Sequence, residues 1–313
     1  MRTYIIRRIV MLVPVFIGIS ILTFLMLHLT PGSPVDVLLP DYASAEAAEH
    51  LIRQLGLDRP LHEQYFMFVA KVLQLDFGRS VRTNRPVTIE IFSRWPATIE
   101  LAVAGMIIAI SIGIPLGIIS AVYQYSPADY GSMFMALIWV CMPSFFLAVV
   151  LQLVFGMHLG WFPVFGRAGP WYTSAGLRSL VMPAFTVGSG AAAILARLSR
   201  SSMLEVLRQD YIRTARAKGL AERVVIYRHA LKNALIPTTT IMGLQMGAIL
   251  GGAFIAETVY ARPGVGRLAV TAIFQRDFPV IQAVVLLVAS IYVLVNLVVD
   301  IVYTFLDPRI RYD

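Results

Sequence analysis

The sequence predicts an all-α, polytopic membrane protein with six transmembrane helices and a helical loop projecting into the cytoplasm. Three observations predict it. The chain of 313 residues is 58% hydrophobic and only 14% charged, whereas soluble globular domains carry roughly a quarter charged residues. Six segments meet, at least marginally, the requirement of roughly 20 apolar residues for a helix that crosses a bilayer core. Between two of them lies a long basic run, "DYIRTARAKGLAERVVIYRHALKNALIP", residues 210–237.

The first span covers 9–29. Its basic start, "MRTYIIRR", resembles a secretory signal, but its apolar stretch is too long and it ends in "LTPGSP" with no small-residue cleavage site. It reads as an uncleaved anchor. A cytoplasmic N-terminus and first span (1–30) are followed by an extracytoplasmic cap segment (31–96) and a transmembrane core (97–313). In the cap, Ser44 and Glu46 open one helix that Gly56 stops, and a second helix starts at Pro60 with Leu61, Tyr65, Phe68 and Val72 on one face. The remaining spans fall at 97–122, 131–153, 179–196, 238–256 and 280–305, the one at 179–196 being the shortest. Pro14, Pro115, Pro143 and Pro183 place an interior proline in each of the first four spans, which membrane helices tolerate. Cys141 is the single cysteine, so no intramolecular disulfide and no thiolate metal cluster can form.

Orientation follows from the distribution of Lys and Arg. With both termini inside, 14 basic residues are cytoplasmic, nine of them between Arg197 and Lys232; outside the long cap segment, only five lie on the other face. The net charge of +8 is met by this layout and by the lipid bilayer. No zinc-finger pattern or aromatic-interleaved basic groove points to nucleic acid.

The basic run therefore lies in the cytoplasm, within the segment 197–237. Gly219 sits where a helix should stop, because glycine takes the left-handed cap conformation without a steric penalty. Val224, Tyr227, Leu231 and Leu235 share one face of the next helix. Pro237 fits the first turn of the fifth span. Charge alone favours amphipathic helices lying on anionic lipid. Ile226, apolar on the otherwise polar face, instead favours docking of a cytoplasmic protein.

At these residues the chain resembles the membrane permease subunits of ABC importers, in their dipeptide, oligopeptide and nickel branch. "RTARAKG" and "NALIP" occupy the places of the family's loop signature. Arg213, Thr214 and Ala215 match its short element, Gly219 its glycine and Pro237 its closing proline. Arg213 stands in place of the signature's glutamate, and the interval from Gly219 to Pro237 is longer than the generic one, as in this branch. "LTFLMLHLTPGSP", "LGLDRPLHEQY", "FGRSVRTNRPV", "WPATIELA", "ETVYARPGVGRL", "RDFPVIQA" and "NLVVDIVYTFLDPRIR" extend the likeness over nearly the whole chain. The resemblance implies a permease that imports short peptides by alternating access. It also implies a second permease subunit, two ATP-binding subunits that hold ATP and Mg, and an extracytoplasmic substrate-binding protein for which 31–96 is a landing surface. Nickel, nickel chelates and glutathione are cargo of similar permeases, and a self-sufficient channel or ion-driven carrier is the reading from another class.

The chain has no ATPase machinery of its own. Its lysines, Lys71, Lys218 and Lys232, follow Ala70, Ala217 and Leu231, whereas a P-loop needs Gly before its Lys. "HEQYF" starts like a zinc-protease helix, but Phe66 stands where the second histidine belongs. "VGSGA" around Ser189 is a small-residue stretch with no triad beside it. The sequence thus assigns no catalytic, cofactor or metal residue. Gly243, Gly247 and Gly251 repeat at four-residue spacing, which suits close helix approach, either within the chain or to a second permease. Asn296 and Asp300 share a face of the last span; Asp300 is a functional candidate by its carboxylate, with a salt bridge or snorkelling contact as the structural alternative.

Overall fold

The computed structural model describes residues 2–29, 53 and 58–306. Among these the regular structure is helical apart from one isolated bridge between Arg79 and Pro86. The helices are α1 (Arg2–Leu29), α2 (Leu61–Leu73), α3 (Val87–Val122), α4 (Pro127–Cys141) and α5 (Ser144–His158, ending in a π segment from Gln152). They continue with α6 (Ser174–Leu207), α7 (Asp210–Ala217), α8 (Glu222–Val259), α9 (Val265–Gln275) and α10 (Phe278–Leu306). Of the expected helix between Ser44 and Gly56 only Arg53, which is helical, is among the described residues.

Four helices, α3, α6, α8 and α10, are individually long and apolar enough to cross a membrane. The expected third span is not one straight helix: α4 and α5 meet at 106° around Met142 and Pro143. Pro143 has ψ 135° and caps α5, whereas Pro14, Pro115 and Pro183 sit inside continuous helices. The bent pair nevertheless has to recross the bundle, because α3 and α6 run parallel. Gly105 meets Val187 and Gly188, and Gly117 meets Ala196 and Ser199, so residue numbers rise together along both helices. Counted this way the pair supplies a fifth crossing. α1 is apolar over Val10–Met26, and its 28 residues reach about 42 Å at 1.5 Å per residue.

The α3–α6 contact is the centre of the fold. A Cβ placed on Gly113 or Gly188 would overlap backbone of the facing helix, and one on Gly117 would lie 2.5 Å from the Ala196 carbonyl oxygen. Small residues thus let the two backbones touch, the means by which membrane helices associate without a hydrophobic drive. Gly105→Ala is expected to cost about 1–2 kcal/mol, since the obstructing atom belongs to the Val187 side chain and can give way; thermal unfolding of the detergent-solubilised protein checks it.

Several elements begin earlier than the hydropathy suggests. α3 starts at Val87, not Ala97, so the cap–core boundary at 96/97 falls inside a helix with Pro96 in it. Ser126, followed by Pro127 at the first helical position, caps α4 by accepting from the Asp129 amide, and Thr173 caps α6 in the same way through Gly176. α2 lies against α1: the Tyr65 hydroxyl is 2.8 Å from Ser20 Oγ, and the rings of Tyr65 and Phe68 approach Phe24.

Buried carboxylates pin the two ends of the bundle. At one end Arg200 on α6 donates two bonds to Asp129 on α4, 2.9 and 2.8 Å, and Ser120 and the Tyr125 amide complete the carboxylate. At the other end the segment before α3 is stapled to the α9–α10 turn. Buried Asp277 accepts from Ser80 Oγ at 2.5 Å and from the Val81 amide at 3.2 Å. The α6–α8 loop packs on Ile118 and Ala121 of α3, at the Asp129 end, and Gln282 near the start of α10 donates to the Thr23 carbonyl late in α1, so the N-terminus of α1 points to the same end.

Candidate functional site

The α6–α8 loop is a mounted surface, not a loose connection. α7 ends at the turn formed by Gly219, whose φ is +77° and whose amide donates to the Arg216 carbonyl at 2.9 Å. This is the left-handed stop that the sequence calls for. Arg216 spans the turn with two bonds to Glu222, 3.1 and 2.6 Å, and that carboxylate raises the pKa of Arg216. Asn233 donates to the Tyr211 hydroxyl at 2.8 Å, tying α7 to α8.

Beneath the loop, Ile212, Ala215, Val225, Ile226, Ala230 and Ala234 form one cluster with Ile118 and Ala121 of α3 and Met203 of α6. Two sequence expectations change here. Ile226 does not face outward: it is 7% exposed and packs into the chain's own core, and Ala215 is likewise buried. The covered face is the row Ile226, Ala230 and Ala234, four residues apart, with Val225 beside it, because this side of the helix lies on Ile118 and Ala121 of α3 and Met203 of α6; Val224 and Tyr227 are left outside, and Leu231 packs at the cluster's edge. Pro237, expected in the first turn of a span, is instead interior to α8, which runs unbroken from Glu222 to Val259. The loop is therefore the end of a membrane-spanning helix.

What faces outward is a mixed surface. Arg213 is 77% exposed, in loose contact with Asp210 at 3.6 Å; Thr214 beside it is exposed. Tyr211, Leu220, Val224 and Tyr227, the last 58% exposed, add apolar area. Tyr227 and Val224, assigned from the sequence to a helix face, thus belong to the outer surface. Basic and apolar groups around a rigid turn can seat a protein partner, with the apolar side chains supplying contact area and Arg213 supplying polar recognition.

At the opposite end the fold carries a second polar assembly that the sequence reading did not single out. Glu257, near the end of α8, is fully buried and accepts from Thr98 Oγ1 at 2.6 Å and the Arg267 amide at 3.1 Å. Thr98 Oγ1 in turn accepts from the Val265 amide at 2.9 Å. Gly264 and Gly266 wrap the carboxylate so closely that a side chain on Gly264 would overlap it. Beside it, Glu100 receives Arg167 through two bonds and Arg262 at 2.9 Å. Burial lowers the pKa of the Arg262 guanidinium, and Glu100 offsets part of that. The signal was present in "WPATIELA" and "ETVYARPGVGRL", where charges interrupt apolar runs, but pairing between segments about 160 residues apart is not visible in one sequence.

The remaining candidates separate. Gly247 packs inside the chain, against the Tyr292 ring, whereas a Cβ on Gly251 would meet open space, and Gly243 is half-buried. Asn296 has a buried Oδ1 without a partner. The Asp300 side chain lies outside the described residues. His62 is exposed, and Glu63 only approaches Arg59 at 3.8 Å.

Comparison with known proteins accounts for both ends of the chain. Residues 113–312 match the model of the binding-protein-dependent transport system inner membrane component, and residues 1–102 match its N-terminal companion. The chain is 46% identical to the dipeptide transport system permease protein DppB of Alkalihalophilus pseudofirmus, with all of both chains covered. It is 41% identical to the glutathione transport system permease protein GsiC of Escherichia coli strain K12, again over the whole of both. A solved structure of the MetNI methionine ABC transporter in an inward-facing conformation shares the fold, with a TM-score of 0.56 at 18% identity, covering 68% of this chain and 94% of that one. With this family, this fold and its apolar helices, the chain belongs to the inner-membrane components of binding-protein-dependent transport systems, the multi-pass permeases of ABC importers.

Proposed function

We propose that this permease carries short peptides into the cytoplasm as one of two similar membrane subunits, with the α6–α8 loop seated on one of two ATP-binding subunits. The observation that carries the docking assignment is the continuity of α8, which starts in the loop and ends at buried Glu257. A displacement of the loop reaches the far end of the bundle through one helix. Arg213, Thr214 and Gly219 belong to the docking face, Ala215 and Ile226 support it from within, and Pro237 lies exposed farther along α8. ATP and Mg bind in the partner subunits, and the termini lie on the cytoplasmic side with the loop, as the basic residues there favour. In this cycle, closure of the ATPases draws the loop with them and the bundle opens outward. An extracytoplasmic binding protein releases its cargo at the other end, where residues 31–96 are its landing surface. A ligand shifts such an equilibrium only by binding the two states differently, and the loop is the element through which the ATPases sense which state is present.

Peptide cargo is supported by the likeness to the dipeptide permease, and the likeness to the glutathione permease favours a glutathione-type solute as the second reading. Purification of the tagged chain in mild detergent, followed by mass spectrometry, is expected to recover a second permease and P-loop ATPases. A chain that emerges alone under conditions that preserve a known membrane complex would shift the reading to a self-sufficient channel or ion-driven carrier.

A further inference from the structure

Halfway along the bundle, where α4 and α5 part at Pro143, a cavity of about 290 Å³ opens between α6 and α8. Gln245 lies 14 residues before the end of α8, about 21 Å at 1.5 Å per residue, and the cavity extends from it along α8 to Ile255 and Ala256, beside the assembly around Glu257. Its walls contain no charged side chain. They present Trp139 as an apolar surface and Ser144, Ser189 and Gln245 as hydrogen-bonding groups. Ser189 spends its proton on the Thr186 carbonyl, while the side chains of Gln245 and Ser144 make no hydrogen bond among the described residues. Gln245 is half-buried, so its carboxamide is within reach of a molecule that enters the cavity and has hydrogen-bonding capacity to offer it.

Two glycines on the same wall point the same way. A Cβ on Gly190 or Gly252 would meet nothing within 4 Å, in contrast to Gly105 and Gly188 at the α3–α6 contact. Glycine inside a helix costs about 1 kcal/mol relative to alanine, and here no contact within the chain repays it. What these glycines supply is space in the cavity that Gln245 also lines.

We propose that this cavity is the substrate-contacting wall of the translocation path, and that Gln245 is its specificity-determining residue, reading the amide group of a passing peptide. A carboxamide presents one acceptor and two donors, the complement of a peptide bond, and an uncharged wall with one such group accepts peptides of varied side chains. This rests on the peptide-importer reading above.

The test uses the assembled importer in proteoliposomes, with radiolabelled dialanine as the probe and ATP hydrolysis stimulated by the binding protein as the second readout. Gln245→Leu is expected to lower dialanine uptake about tenfold while leaving subunit recovery and stimulated ATP hydrolysis within twofold of the parent. Gly252→Phe, whose Cβ meets nothing within 4 Å and whose ring would occupy the space, should do the same. Uptake within twofold of the parent in both variants overturns the proposal. Loss of the second permease from the Gly252→Phe complex also overturns it, since the cavity would then be a subunit interface. A parent complex that hydrolyses ATP but never imports dialanine fails at the peptide reading itself, which keeps the two failures apart.

Discussion

Gly219→Pro should leave the permease in the membrane and abolish binding-protein-stimulated ATP hydrolysis by the assembled complex. The φ of +77° at this position is closed to proline, whose ring holds φ near −65°. The substitution also deletes the amide that bonds the Arg216 carbonyl. The turn must therefore reorganise, and with it the Arg216–Glu222 bridge that spans it. The cluster of Ile212, Ala215 and Ile226 beneath the loop is anchored on α3 and α6, so the bundle itself has no reason to unfold. Measured in reconstituted vesicles, normal stimulation in the variant would remove the loop from its docking role. Gly219→Ala should show a smaller loss of the same kind, because an L-residue in the left-handed region costs about 1–2 kcal/mol.

Glu257→Ala should destabilise the fold at the other end, by about 3 kcal/mol. The carboxylate is fully buried and terminates two chains of bonds, one through Thr98 to the Val265 amide and one to the Arg267 amide. Removing it strands the Thr98 hydroxyl proton and a backbone amide, each at about 1–3 kcal/mol when buried, and leaves a hole where Gly264 and Gly266 had closed around it. Thr98→Val is expected to cost less, since the Arg267 bond survives. Thermal unfolding in detergent, with the amount of folded protein recovered from the membrane as a second measure, ranks the two variants; equal stability for Glu257→Ala and the parent would contradict the geometry.

Hydropathy made the helices legible but not their roles. The span at 179–196 looked weakest because it is rich in Ala, Gly and Ser, yet it is part of a 34-residue helix and the most enclosed of the long ones. A helix surrounded by other helices needs small residues for contact more than it needs lipid-soluble ones. The third span read as continuous because its apolar run does not pause at Met142 and Pro143; the bend comes from the proline and from packing, which a sliding average does not register. Gly219 was legible because a positive φ has a residue type attached to it. The face of the following helix was not, because apolar residues lie on both of its sides and only packing against α3 and α6 decides that Ile226 is covered and Tyr227 is not. Gln245 drew no notice in a single sequence, since an isolated amide in an apolar run acquires meaning only when the cavity before it is seen.

The parallel contact of α3 and α6 also decides what can move. Two backbones in direct contact at Gly113, Gly117 and Gly188 leave no side-chain layer to slide or shear, so this pair is expected to move as one unit. Spin labels placed one on each of these helices should report a single, narrow distance whether nucleotide is present or absent. A label on α8 measured against either should report two distances, because α8 is the helix that carries the loop.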